Sequence, residues 1–195
     1  MENLRHLLVQ RAARLQDRPA FTAPGWGTLS WTAWRNRVEG VGLGLLSADL
    51  ASGSPIHAAT GGPWDWACEV AAACCGLRWE IDGAAIDPAV LGGARFNDSR
   101  GRGPYHDREH ALNANSPFLP GLDHGELLAR LRRLNATLGW DHDTRIAVSL
   151  AGWPNPGARA ALWSLLYAGG HAILADGAGD PGSRNPGLPA ALGLV

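Results

Sequence analysis

The chain has 195 residues, 46% of them hydrophobic and 18% charged, with a formal net charge of −1. That length fits one domain, of one or two lobes, whose core needs no covalent staples. A charge near zero offers no bulk field for nucleic acid or an acidic membrane, and no run of 18 apolar residues is present to span a bilayer.

All 17 basic residues are arginine. Chemistry that needs a lysine ammonium, such as a phosphate-loop lysine or a Schiff base, is closed to these side chains; arginine still offers a planar fork for phosphate. Cys68, Cys74 and Cys75 are an odd number without framework spacing. Reduced thiols and a cytoplasmic location are therefore expected, in keeping with a start that has no apolar signal core.

Leu4, Leu7, Leu8, Ala12 and Leu15 recur at helical spacing, which predicts an amphipathic helix over 3–16, ended by Pro19. Two short β-like runs, 20–22 and 28–30, flank the turn residues APGWG and predict a hairpin. Thr32 is placed to cap a helix with the stripe Trp34, Val38, Val41 and Leu45. Gly40, Gly42 and Gly44 weaken that helix by up to about 1 kcal/mol each, and would let a neighbouring backbone approach. A strand follows over 55–59, then a helix from Pro63 to Cys75 closed by Gly76, apolar nearly all round and so buried. Residues 77–81 read as a strand, 87–91 as a helical turn or two, and 94–96 as a short strand.

Periodicity disappears from Asp98 to Leu122, which reads as a long polar loop. Asp123 with Glu126 has capping-box spacing ahead of a leucine stripe, Leu127, Leu128, Leu131, Leu134 and Leu138. Ile146, Val148 and Leu150 alternate as in a strand. Leu162, Leu165 and Leu166 line a helix stopped by Gly169-Gly170, and 172–174 is a buried strand. The expected organisation is one α/β domain over 1–176 and a Gly/Pro-rich tail with an apolar tip over 177–195. Its architecture is a mostly parallel sheet with helices on both faces, plus an N-terminal helix and β-hairpin. The carboxyl edge of such a sheet, where ligands bind, would collect Thr60-Gly61-Gly62, Asp82-Gly83, Gly152-Trp153-Pro154 and Asp176-Gly177.

Several clusters invite a chemical reading. His106-Asp107-Arg108-Glu109-His110 spells an inverted zinc-protease motif, but no apolar face supports the helix that metal geometry requires, so it reads as solvated loop. Asp141-His142-Asp143 sits where a polar turn is expected. The cysteines read as small packing residues on a buried helix. Among nine tryptophans, Trp34, Trp64, Trp66 and Trp163 fall on apolar faces, while Trp26 and Trp153 stand beside turn glycines as candidates for exposed contacts. Arg130, Arg132 and Arg133 read as solvated surface. Ser149 and Ser164 lack a nucleophile elbow. No catalytic residue and no metal site is assigned.

The order of elements carries a resemblance. The stretches DRPAFTAPGWGTLSWTAW and GSPIHAATGGPWDWACEVAAACCGLRWEI resemble the opening of the AMP-forming acyl-CoA synthetase and adenylation-domain (adenylate-forming enzyme) superfamily. Residues 123–176 resemble the segment after that family's phosphate loop. Asp123-His124, Thr144-Arg145 and Ala168-Gly169-Gly170 sit at its helix-start, strand-start and helix-stop positions. The resemblance covers about residues 3–176 and implies the family's N-terminal portion, as in short truncated bacterial relatives. The elements for adenine, ribose and magnesium, and the lysine-bearing lid, would lie past residue 195.

The family's phosphate loop is rich in serine, threonine and glycine, with a lysine. The aligned stretch here, His110 to Gly121, has one glycine, no threonine, no lysine and two prolines. Ser116 and Gly121 occupy that loop, and Gly152 with Trp153 the face where the family places an aromatic near its acyl substrate; these four are the candidate ligand-binding residues. ATP, AMP or CoA is implied as a ligand only by the resemblance. The expectation is a pseudoenzyme acting as a binding or partner module. Two alternatives stand beside it: a retained nucleotide, CoA or acyl site, and an enzyme half completed by another chain. A homodimer or a complementary protein chain is the expected partner, with neither nucleic acid nor membrane.

Overall fold

The computed structural model describes residues 2–48, 50–87, 111–149, 155–175 and 187–194. In chain order the described elements are α1 (Leu4–Leu15), β1 (Pro19–Ala23), β2 (Gly27–Ser30), α2 (Trp31–Ser47), β3 (Pro55–His57), α3 (Pro63–Cys75), β4 (Arg78–Trp79), β5 (Ala84–Ala85), β6 (Pro117–Leu119), β7 (Leu122–Asp123), α4 (His124–Leu138), β8 (Arg145–Val148), α5 (Pro156–Ala168), β9 (His171–Leu174) and α6 (Gly187–Leu192). The α/β class read from the sequence is present. The predicted turns at 87–91, apart from Asp87, and the strand at 94–96 lie outside the described residues, as does the inverted zinc motif.

Among the described residues the strands lie in more than the one mostly parallel sheet expected. They make a four-stranded sheet in the order β2-β1-β9-β8, a three-stranded sheet in the order β4-β3-β5, and the hairpin β6-β7. Every pairing in the first two is parallel except β1 with β2. The chain divides into two compact units, Met1–His6 with Arg35–Glu126 and Leu7–Trp34 with Leu127–Val195. Thr60-Gly61-Gly62 and Asp82-Gly83 follow strands of the three-stranded sheet. Gly152-Trp153-Pro154 and Asp176-Gly177 lie outside the described residues, after strands of the other.

In the first unit, α3 follows its sequence signals. Pro63 opens it, where a missing N–H costs nothing, and Gly76 ends it at φ 69°, donating to the carbonyls of Ala72 and Ala73. Every residue from Asp65 to Cys75 is buried. Asp65 tolerates burial because its carboxylate accepts from the Thr60 hydroxyl and the Gly61 N–H, both at 2.7 Å. The Cys75 thiol donates to the Gly42 carbonyl of α2 at 3.6 Å. A second charged group is buried on α2. Glu39 is fully buried and pairs with Arg5 and Arg35, each at 3.2 Å. Gly83 is fixed by space, since a Cβ there would stand 2.6 Å from the Ile56 nitrogen. The turn at Asp82-Gly83 leads directly into β5, a strand too short to leave a periodic signal.

In the second unit, the cap of α2 is Ser30, whose hydroxyl accepts from the Ala33 N–H at 3.2 Å. This corrects the placement of the cap at Thr32, which lies inside the first turn and donates to the Gln16 carbonyl instead. Phe21 stacks on Trp34 at 4.7 Å, and the Trp26 ring leans on both at 5.9 and 6.5 Å. Trp26 is thus half-buried in a ring cluster rather than a free contact residue. Asn155 caps α5 by accepting from the N–H groups of Gly157 and Ala158. Gly169 ends α5 at φ 87°. The apolar tip of the tail is α6, with Leu192 fully buried.

Candidate functional site

The stretch from Ala111 to Glu126 holds the loop on which a phosphate-binding role would depend. Its described part is not structureless: Pro117–Leu119 and Leu122–Asp123 pair as an antiparallel hairpin. Pro120 and Gly121 form its tip, with Gly121 at φ 70°, the pattern of a type II turn. The glycine is therefore required by the turn itself. A Cβ at Gly121 would meet nothing within 4 Å, so close approach of other atoms is not what selects it.

Ahead of the hairpin, the loop's donors turn onto its own atoms. The Asn113 N–H donates to the Ser116 hydroxyl at 3.1 Å, the Asn115 N–H to the Asn113 side chain at 2.9 Å, and the Ser116 N–H to the Asn113 carbonyl at 3.2 Å. Pro117 and Pro120 have no N–H to offer. The first turn of α4 is closed in the same way. The His124 and Gly125 N–H groups reach back to the carbonyls of Ser116 and Ala114, and the Glu126 N–H donates to Asp123 at 2.7 Å, the capping interaction expected from the sequence. Backbone groups that might have converged on an anion are instead holding the loop to its helix.

His124 anchors this arrangement. It is fully buried, and its Nδ1 accepts from the Leu4 N–H at 3.1 Å, so the ring proton resides on Nε2. Nε2 has no hydrogen-bond partner among the described residues. The Phe118 ring meets the imidazole edge-on at 5.8 Å. Burial pushes the His124 pKa down to about 4, against the opposing pull of Asp123.

Two cavities flank the loop. One, of about 220 Å³, is bordered by Ser52, Cys75, Leu112, Ser116 and Pro117. The other, of about 400 Å³, is bordered by Arg78, Glu80, Gly121, Asp123 and Glu126. The two candidate residues in the loop thus fall on different cavities, Ser116 on the first and Gly121 on the second. Gly152 and Trp153 lie outside the described residues. Sequence reasoning passed over Arg78 and Glu80. Arg78 donates to the Gly53 carbonyl at 2.9 Å and pairs with Glu80 at 2.8 Å. Their i, i+2 spacing within the stretch read as a strand over 77–81 was the available signal.

The remaining clusters are structural in their contacts. Asp141, His142 and Asp143 are exposed, and their potential ligand atoms lie within 4.8 Å of one another. Asp141 accepts from the Asp143 N–H and the Thr144 hydroxyl, which lowers its pKa and ties the turn that enters β8. Asp143 pairs with Arg18. All three cysteines are free and buried, and burial pushes the Cys68 and Cys74 thiols up. His171 bonds Thr22 at 2.8 Å, and Thr22 bonds Thr28 at 2.9 Å, a polar row across β9, β1 and β2. No described helix is long and apolar enough to cross a membrane.

No protein-family model matches the sequence, and no curated protein is found as a relative. Solved structures do match. The N-terminal subdomain of Klebsiella oxytoca NpsA, in complex with 3-hydroxyanthranilyl-AMSN, superposes with a TM-score of 0.70 at 12% identity, covering 96% of this chain and 57% of that one. A Rhodopseudomonas palustris protein described as a long-chain-fatty-acid CoA ligase gives 0.64 at 17% identity, covering 96% and 61%. The nonribosomal peptide synthetase FmoA3 gives 0.69 at 10% identity, covering 88% and 22%. The chain has the fold of the N-terminal subdomain of adenylation domains and spans little more than half of the first two structures it matches.

Proposed function

We propose that this chain uses an adenylate-forming architecture without adenylating a substrate on its own, and acts as a binding or partner module. The observation that carries the reading is the use of the loop's donors. The N–H groups of Asn113, Asn115 and Ser116 are engaged within the loop, and two of its positions are prolines. A phosphate cradle depends on several N–H groups left free to converge, backed by a cation. The chain has no lysine to supply that cation, and the described part of the loop, Ala111 to Gly121, has no arginine.

The test is ATP–pyrophosphate exchange with a panel of aliphatic, aromatic and amino acids. No exchange above the no-enzyme control is expected. Sustained acid-dependent exchange by the purified chain would end this reading.

A second reading, a retained small-ligand site, is favoured by the cavity on which Ser116 lies. Partner binding draws support from β8, which among the described residues pairs only with β9 and so presents a free strand edge. A homodimer or a complementary chain seated there is checked by light scattering coupled to size-exclusion chromatography. A concentration-independent monomer, both alone and with candidate partner chains, would count against it.

A further inference from the structure

We infer that the cavity of about 220 Å³ beside Ser116 is a site for a small neutral ring compound carrying one oxygen substituent, of the size of phenol. It deepens the binding-module reading and rests on it. Size decides the class first. Ligand pockets for drug-sized molecules run to roughly 300–1,000 Å³, so a nucleotide or CoA would overhang this one. An apolar cavity of roughly 150 Å³ is enough for benzene, which leaves space here for a ring and one substituent.

Charge decides next. Among the described residues, those bordering this cavity include no ionisable acid or base other than the Cys75 thiol, whereas Arg78, Glu80, Asp123 and Glu126 border the neighbouring one. A charged ligand would forfeit its hydration without a counter-charge, so the occupant is neutral. Leu112, Pro117 and Cys75 supply apolar walls, with Leu112 and Cys75 buried.

Two hydroxyls border the cavity, those of Ser52 and Ser116. The Ser116 hydroxyl oxygen accepts from the Asn113 N–H, which fixes the side chain and leaves its hydrogen to donate. On the far side, the Ser52 hydroxyl is 3.5 Å from the Gly76 carbonyl. That carbonyl already accepts from Gly53 at 2.7 Å. Ser116, held by Asn113, is the better fixed of the two hydroxyls and would orient an oxygen-bearing ring.

The experiment is amide NMR titration of the full chain with phenol and, separately, benzene. Saturable phenol shifts confined to residues 52–53, 75–76 and 111–117 are expected, with a Kd on the order of 1 mM. Ser116→Ala should weaken phenol about tenfold and leave benzene unchanged, as the loss of one hydrogen bond predicts. Asn113 is exposed, so water can take over its N–H in that variant. Ala111→Trp, at an exposed position on the cavity's border, should block both compounds without touching the core. Unsaturable shifts, shifts elsewhere, or equal weakening of phenol and benzene by Ser116→Ala would overturn the site. Adenylation activity would sink the binding-module reading and leave these shifts in place; absent shifts would sink the cavity site without restoring adenylation.

Discussion

Acidification should unpin α1 from α4 through His124. The imidazole is buried and its Nδ1 accepts the Leu4 N–H, an interaction only the neutral ring can make. In the unfolded chain the ring titrates near 6.5, and in the folded protein at about 4. The folded value is depressed, so the neutral form is the one that folding favours. Its stabilisation is complete above pH 6.5 and is lost as pH falls toward 4. Each pH unit in that window is worth about 1.4 kcal/mol, for a total of roughly 3 kcal/mol. Other titrating groups contribute over the same range, so the measurement needs a non-titrating reference. His124→Asn serves, because an amide oxygen can stand where Nδ1 accepts. Urea unfolding at pH 7, 6, 5 and 4 would be compared for the two proteins. The native protein should lose roughly 3 kcal/mol more than the variant between pH 7 and 4. A difference that does not change with pH would show that His124 does not couple to folding.

Gly170→Ala should destabilise the protein by about 1–3 kcal/mol in urea, because the added Cβ would stand 2.8 Å from both the Thr144 carbonyl oxygen and a Leu165 methyl. Asn155→Ala removes the acceptor for two N–H groups at the start of α5, and should cost about 1 kcal/mol, read as a lowered urea midpoint. Iodoacetamide at pH 8 should label Cys68 and Cys74 only after unfolding, since burial raises both thiols and hides them. Rapid native labelling at either position, located by peptide mass, would contradict their burial.

What was legible in the sequence is what short-range physics encodes. Gly76 and Gly169 end their helices at positive φ, a preference local to those residues. The stripe Trp34, Val38, Val41 and Leu45 is buried as its spacing requires. The sheet arrangement was hidden because pairing joins distant segments, and nothing in Phe21 names Ala172 as its neighbour. The hairpin at 117–123 escaped because strands of three and two residues have no period, and its prolines read as breakers. Of the candidate site, the loop's single glycine, two prolines and lack of lysine were legible from composition. The inward use of its remaining N–H groups was not, since that depends on the asparagine and serine side chains closing the turn.

The position of β9 also bears on how the chain is made. It lies between β1 and β8, and its partner β1 emerges about 150 residues earlier. At roughly 5–20 residues per second, the β1–β2 hairpin waits on the order of ten seconds or more for that partner. Throughout that interval Phe21, buried in the finished protein, lacks its sheet neighbour Ala172. The nascent chain therefore carries an unfilled strand edge until residue 174 is made.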